Sequence, residues 1–150
     1  YFVLQCEDEQ NKKTVDSAME SLSYTGIGGK KTSGFGKFSF TASPLEPGDV
    51  LHDLLTRQSS KYMLISLLHP KAEDIRGIKE TGSYQIIRRG GFIYSDDHGD
   101  EMVKKNDLHV FNSGSCFGEK YHGEVASVSN GGSHPVYRYA KGFYMGVLPW

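Results

Sequence analysis

The chain has 150 residues, 37% of them hydrophobic and 12% aromatic, with 18 glycines and a formal net charge of −1. That apolar content excludes a disordered chain, and the length suits one domain with its own core. No apolar run approaches the roughly 18 residues of a membrane span, and the balanced charge excludes indiscriminate adhesion to nucleic acid.

Tyr1 to Cys6 reads as a short strand, with no initiator methionine before it, so the chain is expected to begin inside a longer protein. Glu7, Asp8 and Glu9 place acids at the positive end of a helix running roughly from Asn11 to Ser23, with Val15, Ala18, Met19 and Leu22 at helical spacing. A glycine-rich loop follows. Phe38 and Phe40 then alternate with Lys37, Ser39 and Thr41 at the period of a strand. Pro44, Pro47 and Gly48 mark a break before a short helix carrying Val50, Leu51, Leu54 and Leu55.

Tyr62 to Leu68 is continuously apolar apart from Ser66 and ends before Pro70, the pattern of a buried central strand. Residues 71–80 are charged and read as irregular or a short turn. Tyr84 to Arg89 and Phe92 to Tyr94 read as strand pieces joined across Gly90 and Gly91. The acidic stretch Asp96 to Glu101 lacks the spacing of a calcium loop and reads as an exposed hairpin tip. Leu108 to Phe111 and Val125 to Val128 are further strands, Asn130 to Ser133 is a loop, and Val136 to Leu148 is a long aromatic strand or hairpin. The sum is an α+β fold dominated by antiparallel strands. Its opening order of strand, helix, glycine loop, strand is half of a ferredoxin-like split βαβ unit.

The run from Gly26 to Phe38 organises the rest. It holds five glycines, three lysines and no acid. Backbone amides unshielded by side chains, with lysines beside them, suit phosphate oxygens. Residues 21–42 carry Lys30, Lys31 and Lys37, residues 125–150 carry Arg138 and Lys141, and neither segment has an acid. A local basic site on an otherwise acidic chain suits one defined anionic partner. The loop is no P-loop, because Tyr24 stands where the first glycine belongs and Lys31 follows Gly29-Lys30. The dinucleotide fingerprint fails at Lys31 too. No nucleotide, metal or other cofactor is therefore expected. The competing reading is a flexible loop without a ligand. Cys6 and Cys116 lack metal or redox spacing and read as free thiols of the cytoplasm.

With these residues in view, the pattern Gly26-x-Gly28-Gly29 then Gly34-x-Gly36, after a helix, resembles the glycine-rich loop of the RAMP superfamily of CRISPR proteins. Three stretches narrow the resemblance: Gly82 to Gly91, Asn112 to Phe117, and His134-Pro135-Val136-Tyr137-Arg138-Tyr139. They are similar to the C-terminal half of the family of Csm complex subunit four, with Ala140 where that family's ending has glycine. The resemblance implies a ferredoxin-like (RRM-like) RAMP fold whose N-terminal half lies outside residues 1–150. It implies an architectural, noncatalytic subunit of a type III-A effector in antiviral defence. Such a subunit binds the crRNA 5′ handle and joins the large palm-domain subunit to the backbone RAMP filament, with no membrane involved. Base pairing by the guide would read the target, leaving the protein to grip backbone and splayed handle bases.

On that implication the amides of Gly26, Gly28, Gly29, Gly34 and Gly36 approach the RNA backbone, Lys30 and Lys31 neutralise phosphate, and Ser33 donates a hydrogen bond. Arg88 and Arg89 point to opposite strand faces, so at most one, taken as Arg88, meets RNA. Tyr137, Arg138 and Tyr139 offer stacking and a cation to unpaired bases; the plainer reading makes the tyrosines core residues with wet hydroxyls. Phe35 either wedges against a base or pins the loop to the core. Two other readings remain. One is a metal-independent endoribonuclease built on His134, Tyr137 and Lys141, since some RAMP relatives process precursor RNA. The other is a protein-interaction domain whose loop touches a partner.

Overall fold

Asp8 begins the first helix, α1 (Glu9–Thr25), where its carboxylate accepts from the Asn11 amide at 2.6 Å. That satisfies one of the amides a helix start leaves unpaired, and Glu9 adds an acid to the first turn. The helix is thus longer at both ends than its apolar spacing predicts. The computed structural model describes residues 1–28, 30, 33–93 and 103–148, which fall into two compact units, Tyr1–Pro44 and Leu45–Trp150. Gly29 and Lys31 of the loop, Tyr94 and the acidic stretch 96–101 lie outside the described residues.

In the first unit the two expected strands do not form. Residues 1–6 and 35–46 carry no regular structure. Strand geometry needs a partner ladder, and none is present for either segment among the described residues. The Phe38 amide instead donates to the Ser23 carbonyl of α1 at 3.3 Å, and the Phe38 and Phe40 rings stand 6.2 Å apart. The helix, loop and return segment are there, but the ladder of a ferredoxin-like half is not.

The second unit contains α2 (Val50–Thr56), β1 (Lys61–Leu64), α3 (Ile75–Thr81), β2 (Ile86–Arg89), β3 (Leu108–Phe111), β4 (Cys116–Phe117), β5 (Gly123–Ser127), β6 (Tyr137–Lys141) and β7 (Tyr144–Val147). Among the described residues its strands form three antiparallel sheets: β4–β1–β7, β2–β3 and β5–β6. β1 is central, as its apolar run predicts, although the ladder stops at Leu64 and only Leu68 bridges onward, to Phe111. α2 packs beside β7. Residues 71–80, expected to be irregular, hold a 3-10 turn (Ala72–Asp74) running into α3, because Ile78 reaches the core and is 0% exposed. The long aromatic stretch is two strands, and they part company: β6 pairs with β5 while β7 pairs with β1.

The core gathers on Phe117, which with Leu64, Leu68 and Ile78 is wholly removed from water. Edge-on rings surround it, with Phe111 at 5.6 Å, Tyr121 at 5.8 Å and Tyr144 at 6.4 Å between centroids. The Tyr144 hydroxyl donates to the Tyr121 carbonyl at 2.7 Å and accepts from the Tyr121 amide at 3.2 Å. Burial raises the Tyr144 phenol well above its ordinary range. The chain is therefore α+β with small antiparallel sheets, and the core lies in residues 45–150.

Candidate nucleic-acid interface

The glycine loop has a closed neck and an open tip. Gly26 ends α1 with φ 84°, and its amide donates to the Leu22 carbonyl at 2.8 Å. The Ile27 amide then donates to the Gly36 carbonyl at 2.9 Å, closing the neck. A Cβ on Gly36 would stand 2.0 Å from the Ile27 carbonyl oxygen, and one on Gly26 would stand 2.9 Å from that of Phe35. Hydrogen is the only side chain that lets these backbones meet. Gly26 and Gly36, expected to face RNA, thus build the neck; the Gly26 amide is already committed to the helix end.

The tip differs. Gly28 and Gly34 also have positive φ, 101° and 83°, yet nothing lies within 4 Å of a Cβ built on either. The Ser33 amide donates to the Lys30 carbonyl at 3.0 Å, and the residues Gly28, Lys30, Ser33 and Gly34 are all exposed. Phe35 is 65% exposed, which removes the reading in which it pins the loop to a core. A cleft of about 500 Å³ lies between α1 and residues 38–40. Asp16 and Glu20 line it, and the Asp16 carboxylate is paired with the Lys12 ammonium at 2.6 Å.

In the second unit Arg88 stands across the ladder from His109, with its guanidinium 3.6 Å from the Asp107 carboxylate. Lys104 approaches the same carboxylate at 3.9 Å. Arg138 reaches this corner too, its Nη2 donating to the Gly90 carbonyl at 3.5 Å. The structure therefore brings Arg88 and Arg138 to one corner, where among the described residues Asp107 pairs with Arg88 and Lys104 and Arg138 reaches the Gly90 carbonyl. The Arg138 Nε is buried without a partner among the described residues. Strand alternation sends Arg138 to the packed side of β6 with Ala140, so it does not share a face with its neighbours Tyr137 and Tyr139. Those tyrosines are 62% and 71% exposed, against the reading that makes them core.

Tyr137 and Lys141 are four residues apart on β6, about 13 Å along a strand. His134 lies before the strand, with its Nδ1 3.2 Å from the Pro135 carbonyl oxygen. Among the described residues no three His, Cys, Asp or Glu side chains are grouped to hold a metal ion, and no helix is long and apolar enough to cross a membrane.

The family model of the CRISPR Csm4 C-terminal domain matches residues 57–147. The chain belongs to the CRISPR Csm4 C-terminal domain family. The matched segment covers the Phe117 core, the Arg88 corner and the β5–β6 ribbon, and begins after the glycine loop. A Csm4 relative from Streptococcus thermophilus, described as "CRISPR system Cms protein Csm4", is 36% identical over 131 residues, covering 85% of this chain and 42% of the relative. One of the same description from Mycobacterium tuberculosis is 32% identical over 121 residues, covering 81% and 39%. A more distant one from Methanocaldococcus jannaschii is 26% identical over 136 residues. The chain thus spans about two fifths of the length of these Csm4 relatives.

Sequence reasoning missed two features of this Csm4-family chain. Lys104 and Asp107, which set the charge around Arg88, gave no motif. The neck role of Gly26 and Gly36 had a signal only in their separation, which lets a loop close between them.

Proposed function

We propose that this chain is the C-terminal region of a noncatalytic, RNA-binding subunit of a type III-A CRISPR (Csm) effector complex. In this reading it grips the repeat-derived 5′ handle of the guide RNA in the cytoplasm. The whole subunit has a ferredoxin-like RAMP fold and joins the large palm-domain subunit to the backbone filament. Family membership supports the complex. The observation that carries RNA binding is the open loop tip: exposed Gly28, Lys30, Ser33 and Gly34 held out on a neck that only glycine can close. Such a tip offers main-chain amides and a cation to phosphates without reading bases, which suits a protein whose guide supplies sequence recognition. The separation of Tyr137 from Lys141, about 13 Å along β6, supports a subunit that holds RNA without cutting it.

The test replaces Lys30→Glu and Lys31→Glu in the full-length subunit within the assembled complex, and follows handle binding against salt. Each lost phosphate contact should lower the magnitude of the log–log slope by about 0.7, so the pair should lower it by about 1.4. An unchanged slope with unchanged affinity would reject the loop as an RNA contact.

A further inference from the structure

The β5–β6 ribbon has two unlike faces. Arg138, Ala126 and Ala140 face the protein, and the two alanines are 9% and 1% exposed. The other face carries Val125, Ser127, Tyr137, Tyr139 and Lys141, all exposed. Val125 pairs with Tyr139 and Ser127 with Tyr137, so the two rings stand on one face of one strand, opposite Val125 and Ser127. Two large rings on a regular ladder, uncovered by any described residue, form a surface able to take a partner.

We propose that this outer face is a stacking platform for unpaired RNA bases, with Tyr137 and Tyr139 as the rings and Lys141 as the phosphate contact. The proposal rests on the RNA-binding reading above and adds a second contact in the other unit, of a different kind. Two features choose single-stranded RNA as the occupant. Residues i and i+2 of a strand are about 6.7 Å apart, a spacing that gives each ring room to meet its own base. Among the described residues the face bears a cation and no acid: the neighbouring carboxylate, Glu124, points to the packed side, with its oxygen 3.5 Å from the His69 ring. No acid occurs anywhere from Val125 to Leu148. Aromatic rings beside an unopposed cation are the general means of holding single strands without reading their sequence.

The experiment uses the full-length subunit and a single-stranded oligonucleotide of the handle carrying 2-aminopurine. Tyr137→Ala and Tyr139→Ala should each lower affinity about 5- to 150-fold, the range for loss of one base–ring stack. They should leave the salt slope unchanged and raise 2-aminopurine fluorescence in the remaining complex. Phenylalanine at either position should restore both affinity and quenching. Matching melts of the alanine and phenylalanine variants separate this from misfolding. If the alanine variants bind RNA like the parent while Lys30→Glu with Lys31→Glu binds poorly, the platform is wrong and the loop reading stands. If they bind RNA normally but no longer join the other subunits, the face is a protein interface and the platform is equally wrong. Failure of both sets to alter RNA binding would reject both.

Discussion

In residues 1–44 no side chain of α1 is buried, and the glycine loop is closed by one backbone hydrogen bond between Ile27 and Gly36. In residues 45–150 helices and strands converge on Phe117, with Tyr62, Leu64, Leu68, Ile78, Phe111, Tyr121 and Tyr144 around it. The first unit gets its shape from main-chain closure, the second from side-chain burial. A ligand meeting the first unit finds amides and a lysine; one meeting the second finds rings and guanidinium groups on rigid strands. The two should therefore fail under different substitutions: bulk added at a glycine in one, bulk removed from the core in the other.

The largest effect should come from Phe117→Ala. Removing a fully buried ring costs about 3–5 kcal/mol, enough to unfold a marginal domain. Melting of the full-length subunit should fall sharply, with near-ultraviolet signals of the second unit lost first. Survival of those signals at the parental temperature would mean that the core is not organised around this ring.

Tyr144→Phe probes the same core through its hydrogen bonds. Losing the hydroxyl leaves the Tyr121 amide and carbonyl without that partner, at a cost of about 1–3 kcal/mol. The pH dependence sharpens it. Burial raises the folded phenol above its unfolded value of about 10, so the folded state holds a proton that the unfolded state releases. Stability is then intact below pH about 10 and declines as pH rises above it. Burial, with Glu119 second, raises Tyr121 in the same direction, so Tyr144→Phe should flatten this alkaline decline without abolishing it. Denaturant midpoints measured from pH 8 upward decide the matter.

Gly36→Ala should act only on the first unit. Its methyl would sit 2.0 Å from the Ile27 carbonyl oxygen, so the neck must open, at a cost of more than about 1 kcal/mol. Trypsin should then cut faster at Lys30 or Lys37 while the melt of the second unit is unchanged. Gly34→Ala, with open space around it, should do less; equal effects from the two would erase the distinction between neck and tip. The smallest expected effect is none. His134→Ala in the full-length subunit should leave precursor guide RNA bound and whole, as the parent does. Cleavage by the parent that vanishes in the variant would replace the architectural reading with the nuclease.

What could be read beforehand follows the same division. α1 was legible because Val15, Met19 and Leu22 repeat at helical spacing behind an acidic cap, and β1 because an uninterrupted apolar run belongs in the middle of a sheet. The strand expected at residues 1–6 rests on a short apolar run and that at 37–41 on alternation, and each reports a willing segment but not a partner to pair with. α3 was hidden because Lys71, Glu73, Asp74, Arg76, Lys79 and Glu80 outnumber the two isoleucines that make it useful. At the site, the loop's composition marked the tip but not which glycines form the neck, since that depends on which backbones meet. Alternation correctly splits Arg88 from Arg89, yet it was not applied to Tyr137, Arg138 and Tyr139, where the ladder separates the arginine from both rings.

The parting of β6 from β7 governs where a reporter could be inserted into this polypeptide. Only Gly142 and Phe143 separate the two strands, and Ser66 clips that junction, its hydroxyl donating to the Lys141 carbonyl at 3.1 Å and accepting from the Phe143 amide at 2.9 Å. A fluorophore loop spliced there would pry two sheets apart at once. The bend at Gly131, with open space around it, joins strands of a single ribbon and should accept the same insertion with the melt unchanged. A dye placed at that bend would sit on the same hairpin as both exposed tyrosines, turning the ribbon into its own optical gauge of occupancy.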